Sequence, residues 1–75
     1  MKELLETIAR ALVTQPDQVF VSERETEDAI ILELTVAKDD MGKVIGRQGR
    51  IARAIRSVIK AASIDYDKKV LVEIL

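Results

Sequence analysis

Leu4, Leu5, Ile8, Ala11 and Leu12 recur at helical spacing, which predicts an amphipathic helix over residues 2–14. Gln15-Pro16-Asp17 should end it, because proline cannot continue the hydrogen-bond ladder. Val19, Phe20 and Val21 open a β-rich run to about Glu25, and Thr26-Glu27-Asp28 makes a short polar turn. Ile30, Leu32, Leu34 and Val36 then alternate with Ile31, Glu33 and Thr35, the pattern of a half-buried strand. Asp39 is placed to cap a short helix ending near Ile45, with Asp40 in its first turn. Gly46 stands where a helix often closes in a left-handed residue.

A further helix is predicted from Gln48 or Gly49 to Ala62. At 100° per residue, Ile51, Ala54, Ile55, Val58, Ile59 and Ala62 share one face, and Arg50, Arg53, Arg56 and Lys60 share the opposite one. After Asp65-Tyr66-Asp67, alternation of Val70, Val72 and Ile74 predicts a last strand. The order is helix, strand, strand, helix, helix, strand, within one domain spanning residues 1–75. A three-stranded mixed sheet with helices on one face buries every apolar stripe, giving an α+β fold. The crossover through the helix pair puts the second and third strands parallel, with the first antiparallel at an edge.

Composition narrows the chemistry. The chain has neither cysteine nor histidine, so disulfides, thiolate metal sites and the commonest general base are absent. Ser22, Ser57 and Ser63 have no histidine to activate them, and the paired acids Glu27-Asp28, Asp39-Asp40 and Asp65/Asp67 read as caps and solvated turns. No enzyme is expected. The N-terminus interleaves acids with its leucines, which suits neither a secretory signal nor a membrane span, so a cytoplasmic protein is expected.

Charge distribution changes the picture most. Residues 41–64 carry Lys43, Arg47, Arg50, Arg53, Arg56 and Lys60 and no acid, whereas the rest holds six basic and thirteen acidic side chains. A positive segment on a chain of net charge −1 suits a phosphate-bearing ligand. The glycines in this segment, Gly46-Arg47-Gln48-Gly49, join two helices. Amides at the start of the second helix and its positive dipole end favour an anion there. The spacing is not that of a P-loop, since Arg50-Ile51 follows the second glycine where Lys-Ser/Thr is needed. Nor is it a dinucleotide fingerprint, because no strand precedes it and the glycine spacing differs. A tight ligand-free turn is the remaining alternative.

The stretch VIGRQG, Val44 to Gly49, resembles the VIGxxG core motif of KH domains at every fixed position. Ala52 stands where that family usually places an aliphatic residue, with Ile51 just before it, a departure expected to shift the helix face slightly. The element order is similar to the type II arrangement. DMGKVIGRQGRIARAIR and the ending DKKVLVEIL are similar to the KhpA family of small bacterial single-KH proteins. The resemblance implies clamping of about four nucleotides of single-stranded RNA by the loop Gly46, Arg47, Gln48 and Gly49. It also implies flanking contacts from Lys43 to Ile45 and from Arg50 to Arg53, and an opposite groove wall along Ile30 to Val36. No cofactor is implied. With Phe20 and Tyr66 the only aromatics, bases should meet aliphatic groove walls rather than ring platforms, with salt-sensitive affinity and weak sequence discrimination.

The same resemblance implies a larger KhpB-like partner, an RNA-chaperone role, and a link to cell-wall growth and cell length. A protein-interaction module is the competing reading. Ile31 and Leu71 or Leu75 would then lie exposed on the open sheet face and support a homodimer or partner pairing. Arg47 in the loop and the acid-free helix behind it favour RNA.

Overall fold

A computed structural model describes Met1–Leu75 and contains three α-helices and one three-stranded sheet. Helix α1 spans Lys2–Leu12, strand β1 Phe20–Glu25, β2 Ala29–Thr35, α2 Met41–Ile45, α3 Arg50–Ala62 and β3 Lys69–Ile74. The sheet order is β1-β2-β3, with β1 antiparallel and β3 parallel to β2. This is the α+β mixed sheet expected from the alternation pattern.

Period two divides the sheet into unlike faces. On the inner face, Val21, Leu32, Leu34, Val36 and Val72 pack with Leu5 and Ala9 of α1, Val44 of α2, and Ile55 and Ile59 of α3. The outer face is crossed by ions: Arg24 lies 3.6 Å from Glu33 and 4.0 Å from Glu73, and the Ser22 hydroxyl donates to Glu33. Ile31 was expected to be exposed here, but it is only 9% exposed, in register between Arg24 and Leu71. Leu71, Leu75 and Phe20 remain open, on either side of the ionic centre rather than as one apolar sheet.

Two further expectations are corrected. The buried arc of α3 is Ala52, Ile55 and Ile59, whereas Ala54, Val58 and Ala62 face outward. Burial of Ala52 rotates the helix relative to the face that apolar spacing alone selects. Asp40, expected to be solvated at a helix start, is wholly buried. Residues Lys38–Asp40 form a 3₁₀ turn, α2 begins only at Met41, and neither Asp39 nor Asp40 caps it through its side chain.

Asp40 instead braces α2 against the end of α1. Its carboxylate accepts from Thr14 N at 3.1 Å, Thr14 Oγ1 at 2.8 Å and Gln15 N at 3.1 Å. Those amides cannot then extend α1, which explains why the helix stops at Leu12 rather than near residue 14. At the far end, Lys68 Nζ reaches Glu25 at 2.6 Å and the Thr26 carbonyl at 2.8 Å, clipping the α3–β3 loop to the hairpin. No helix is long and apolar enough to cross a membrane.

Burial pushes the Asp40 carboxyl up, but the donors from Thr14 and Gln15 and the nearby Lys43 charge outweigh it and hold it below the usual range. A depressed folded value contributes stability above the unfolded pKa of about 3.9, lost as pH falls through the folded value. Asp40→Asn should therefore lower the melting temperature at pH 7 by several degrees, and the gap to wild type should narrow below about pH 4. Thermal melts across that range check it.

Candidate nucleic-acid interface

The loop between α2 and α3 is built from backbone conformations that few residues tolerate. Gly46 has φ 75° and ψ 173°, Gln48 φ 57° and ψ 25°, and Gly49 φ 73° and ψ 17°. Gly46 N donates to Gly42 O at 2.8 Å, closing α2, and Gly49 N donates to Gly46 O at 3.1 Å, closing the turn that delivers Arg50 to α3. The two glycines are needed for different reasons. A Cβ on Gly46 would sit 2.6 Å from Ile51 Cγ1, whereas one on Gly49 would meet nothing within 4 Å. Gly46 lets the loop close on its own helix, and Gly49 leaves the outside of the turn open to another backbone.

The sequence-derived site residues gather at this end of the molecule. Lys43 and Ile45 are exposed on α2, Arg47 and Gln48 are exposed in the loop, and Arg50 and Arg53 are exposed in the first turn of α3. No side chain caps the start of α3; the Arg50 amide donates to Arg47 O, and the next amides of the first turn have no partner within the helix. None of the six cations between Met41 and Ile64 forms an ion pair; the paired basic residues are Arg10, Arg24 and Lys68, all outside the segment. Apart from Lys43, whose charge acts on the buried Asp40 carboxylate, these charges are not neutralised internally and are available to an external anion.

The groove beside α3 differs from the expected one. The wall assigned to Ile30–Val36 belongs to β2, which lies in the middle of the sheet with both edges paired. Both β1 and β3 are edge strands, and a cavity of about 900 Å³ opens between β3 and α3, lined by Arg56, Ser57, Lys60, Ile64, Val70 and Val72 among others. Arg56 Nε donates to Val72 O at 3.2 Å across it. Sequence reasoning missed Ser57, Lys60, Val70 and Val72 as groove residues. Arg50, Arg53, Ser57 and Lys60 do share one helical arc, a spacing that could have extended the site along α3.

On the other side of α3 lies a second groove of about 430 Å³ against α1. Leu4, Ile8, Leu12, Ile51, Ala54 and Val58 line it together with Arg50, and Val58 is 48% exposed.

A glycine turn between two helices, over a mixed sheet whose parallel edge strand walls a groove, defines a type II KH domain. A sequence description of the family "KhpA/KhpB, KH domain" matches residues 2–74, and the chain belongs to that family. Relatives named RNA-binding protein KhpA include those of Clostridium acetobutylicum, 65% identical, Clostridium perfringens, 61%, and Caldanaerobacter subterraneus, 57%. Each alignment covers all of this chain and all of the relative. The chain is also similar in fold to part of Era from Aquifex aeolicus, a point variant of that protein bound to GDP.AlF4-. That likeness has TM-score 0.70 at 18% identity and covers 97% of this chain and 28% of the other.

The loop geometry separates the glycines by experiment. Gly46→Ala adds backbone strain of about 1–3 kcal/mol on top of the clash with Ile51, and should unfold much of this small domain. Gly49→Ala should cost only about 1–2 kcal/mol, the ordinary penalty of a left-handed residue. Urea denaturation of both variants checks the order.

Proposed function

We propose that this chain binds single-stranded RNA by clamping its backbone at the loop Gly46-Arg47-Gln48-Gly49 and laying the bases along the groove between α3 and β3. One observation carries the reading: Arg47, Arg50, Arg53, Arg56 and Lys60, none with an ion-pair partner in the chain, extend from the glycine turn along α3, and the last two line that groove. From Arg50 to Lys60 the row spans about 15 Å at 1.5 Å per residue. The names of the KhpA relatives support RNA as the ligand. Val70 and Val72 offer aliphatic contact, and neither aromatic residue lines the groove, so stacking contributes little.

A second reading concerns partners, and the exposed α1–α3 groove favours it. A row of Leu4, Ile8, Leu12, Ile51, Ala54 and Val58 at the surface is the kind of patch that a second folded domain covers. We assign it to another KH domain, from a second copy of this chain or from a larger KhpB-like protein. The family description embraces the KH domains of both KhpA and KhpB, which supports such pairing. The cytoplasmic RNA-chaperone role and the link to cell-wall growth and cell length follow from the family resemblance and belong to the same proposal.

The first test titrates a short unstructured RNA against wild type and an Arg47→Asp/Gln48→Asp double variant. Asp is among the residues that tolerate the left-handed conformation at position 48, so the variant keeps the turn. The variant should lose at least tenfold in affinity with unchanged mass and circular dichroism. If wild type engages four phosphates, its affinity should fall with salt at a log–log slope of about −3. Equal binding by both proteins would refute the clamp.

Pairing is tested by light scattering. Val58→Asp places a charge in the apolar groove and should shift the solution mass of any dimer to that of the monomer, leaving the fold intact. An unchanged dimer mass would move the interface elsewhere.

A further inference from the structure

Arg56 differs from every other cation of the basic segment because the protein itself holds its guanidinium. Its Nε donates to the carbonyl of Val72 on the edge strand β3, 3.2 Å away. No carboxylate pairs with it, and its Nη atoms make no other hydrogen bond within the chain. The side chain lines the α3–β3 cavity beside Ser57 and Lys60. A guanidinium is planar, so fixing Nε sets the plane in which the remaining four N–H donors lie. Lys43, Arg47, Arg50, Arg53 and Lys60 have no comparable tether and are free to follow phosphates, which carry no sequence information.

We infer that Arg56 is a specificity-determining residue that reads the edge of one base in the groove. The tethered fork presents two parallel donors, and its match is a base edge with two adjacent acceptors. Guanine offers O6 and N7 on its Hoogsteen edge, and cytosine offers O2 and N3 on its Watson–Crick edge. Adenine sets an amino donor beside N7 and beside N1, and uracil separates its two carbonyls by N3–H. The groove is thereby permissive along its aliphatic wall and selective for guanine or cytosine at the position facing Arg56. This inference rests on the RNA reading above and adds one discriminating contact to it.

Fluorescence anisotropy against three unstructured RNAs of equal length tests it: one of adenine and uracil only, one with a single central guanine, and one with a single central cytosine. Wild type, Arg56→Lys and Arg56→Met are compared at one salt concentration. Wild type should bind the guanine or the cytosine RNA about tenfold more tightly than the adenine–uracil RNA, as one bidentate contact provides. Arg56→Lys keeps the charge but loses the fork, so it should bind all three at the wild-type adenine–uracil level. Arg56→Met should also show no margin, with lower affinity throughout. If Arg56→Met fails to fold by circular dichroism, the lysine variant decides.

A margin that persists in Arg56→Lys would refute the assignment, as would a wild type that binds all three RNAs equally. The Arg47→Asp/Gln48→Asp variant separates the two readings, because it should weaken binding to all three RNAs alike. A wild type that binds none would overturn the RNA reading and this inference with it.

Discussion

The contact between Gly46 and the side chain of Ile51 is the constraint on which the remaining architecture turns. With 2.6 Å between Ile51 Cγ1 and the place a Cβ would occupy, α2 and α3 meet at this angle only because residue 46 has no side chain. Its φ of 75° with an extended ψ lies in a region essentially reserved for glycine. From that point the direction of α3 follows, and with it the line of cations and the groove against β3. The buried Asp40 brace acts on the other end of α2, so the five residues Met41–Ile45 are anchored at both ends. Such a short helix has little stability of its own and needs both anchors.

Helix α3 then divides its circumference among three tasks. Ala52, Ile55 and Ile59 enter the core, Arg56, Ser57 and Lys60 line the groove with β3, and Ile51, Ala54 and Val58 form the apolar border with α1. Thirteen residues serve a core, a basic surface and an apolar patch because the core share is only one narrow arc. Ala52 makes this division possible: its small side chain lets the helix lie close to the sheet, turning Val58 outward.

Strand alternation was legible because period two has one solution once a face is buried, and Ile30, Leu32, Leu34 and Val36, like Val70, Val72 and Ile74, fall on the inner side as the pattern requires. The glycine turn was legible because VIGRQG carries its conformational demands in its own residues. The rest depends on partners far along the chain. Asp40 is buried by a hydroxyl and two backbone amides 25 and 26 residues away, which no local pattern contains. The strand order was legible from the crossover, but not which strand walls the groove, because that depends on how α3 lies across the sheet. Ala54 and Val58 are as apolar as Ile55 and Ile59, so spacing alone could not tell an exposed stripe from a core one.

The bond from Arg56 to Val72 has a consequence for how molecules of this protein coexist in solution. An uncovered edge strand offers its carbonyls and amides as a template for another strand, and small proteins with such edges tend to stack into extended sheets. A bulky cation pinned to the middle of β3, with Lys69 and Glu73 bringing charge to the same strand, obstructs that approach. The groove wall is thereby left uncovered on the α3 side and closed to a neighbouring β-strand.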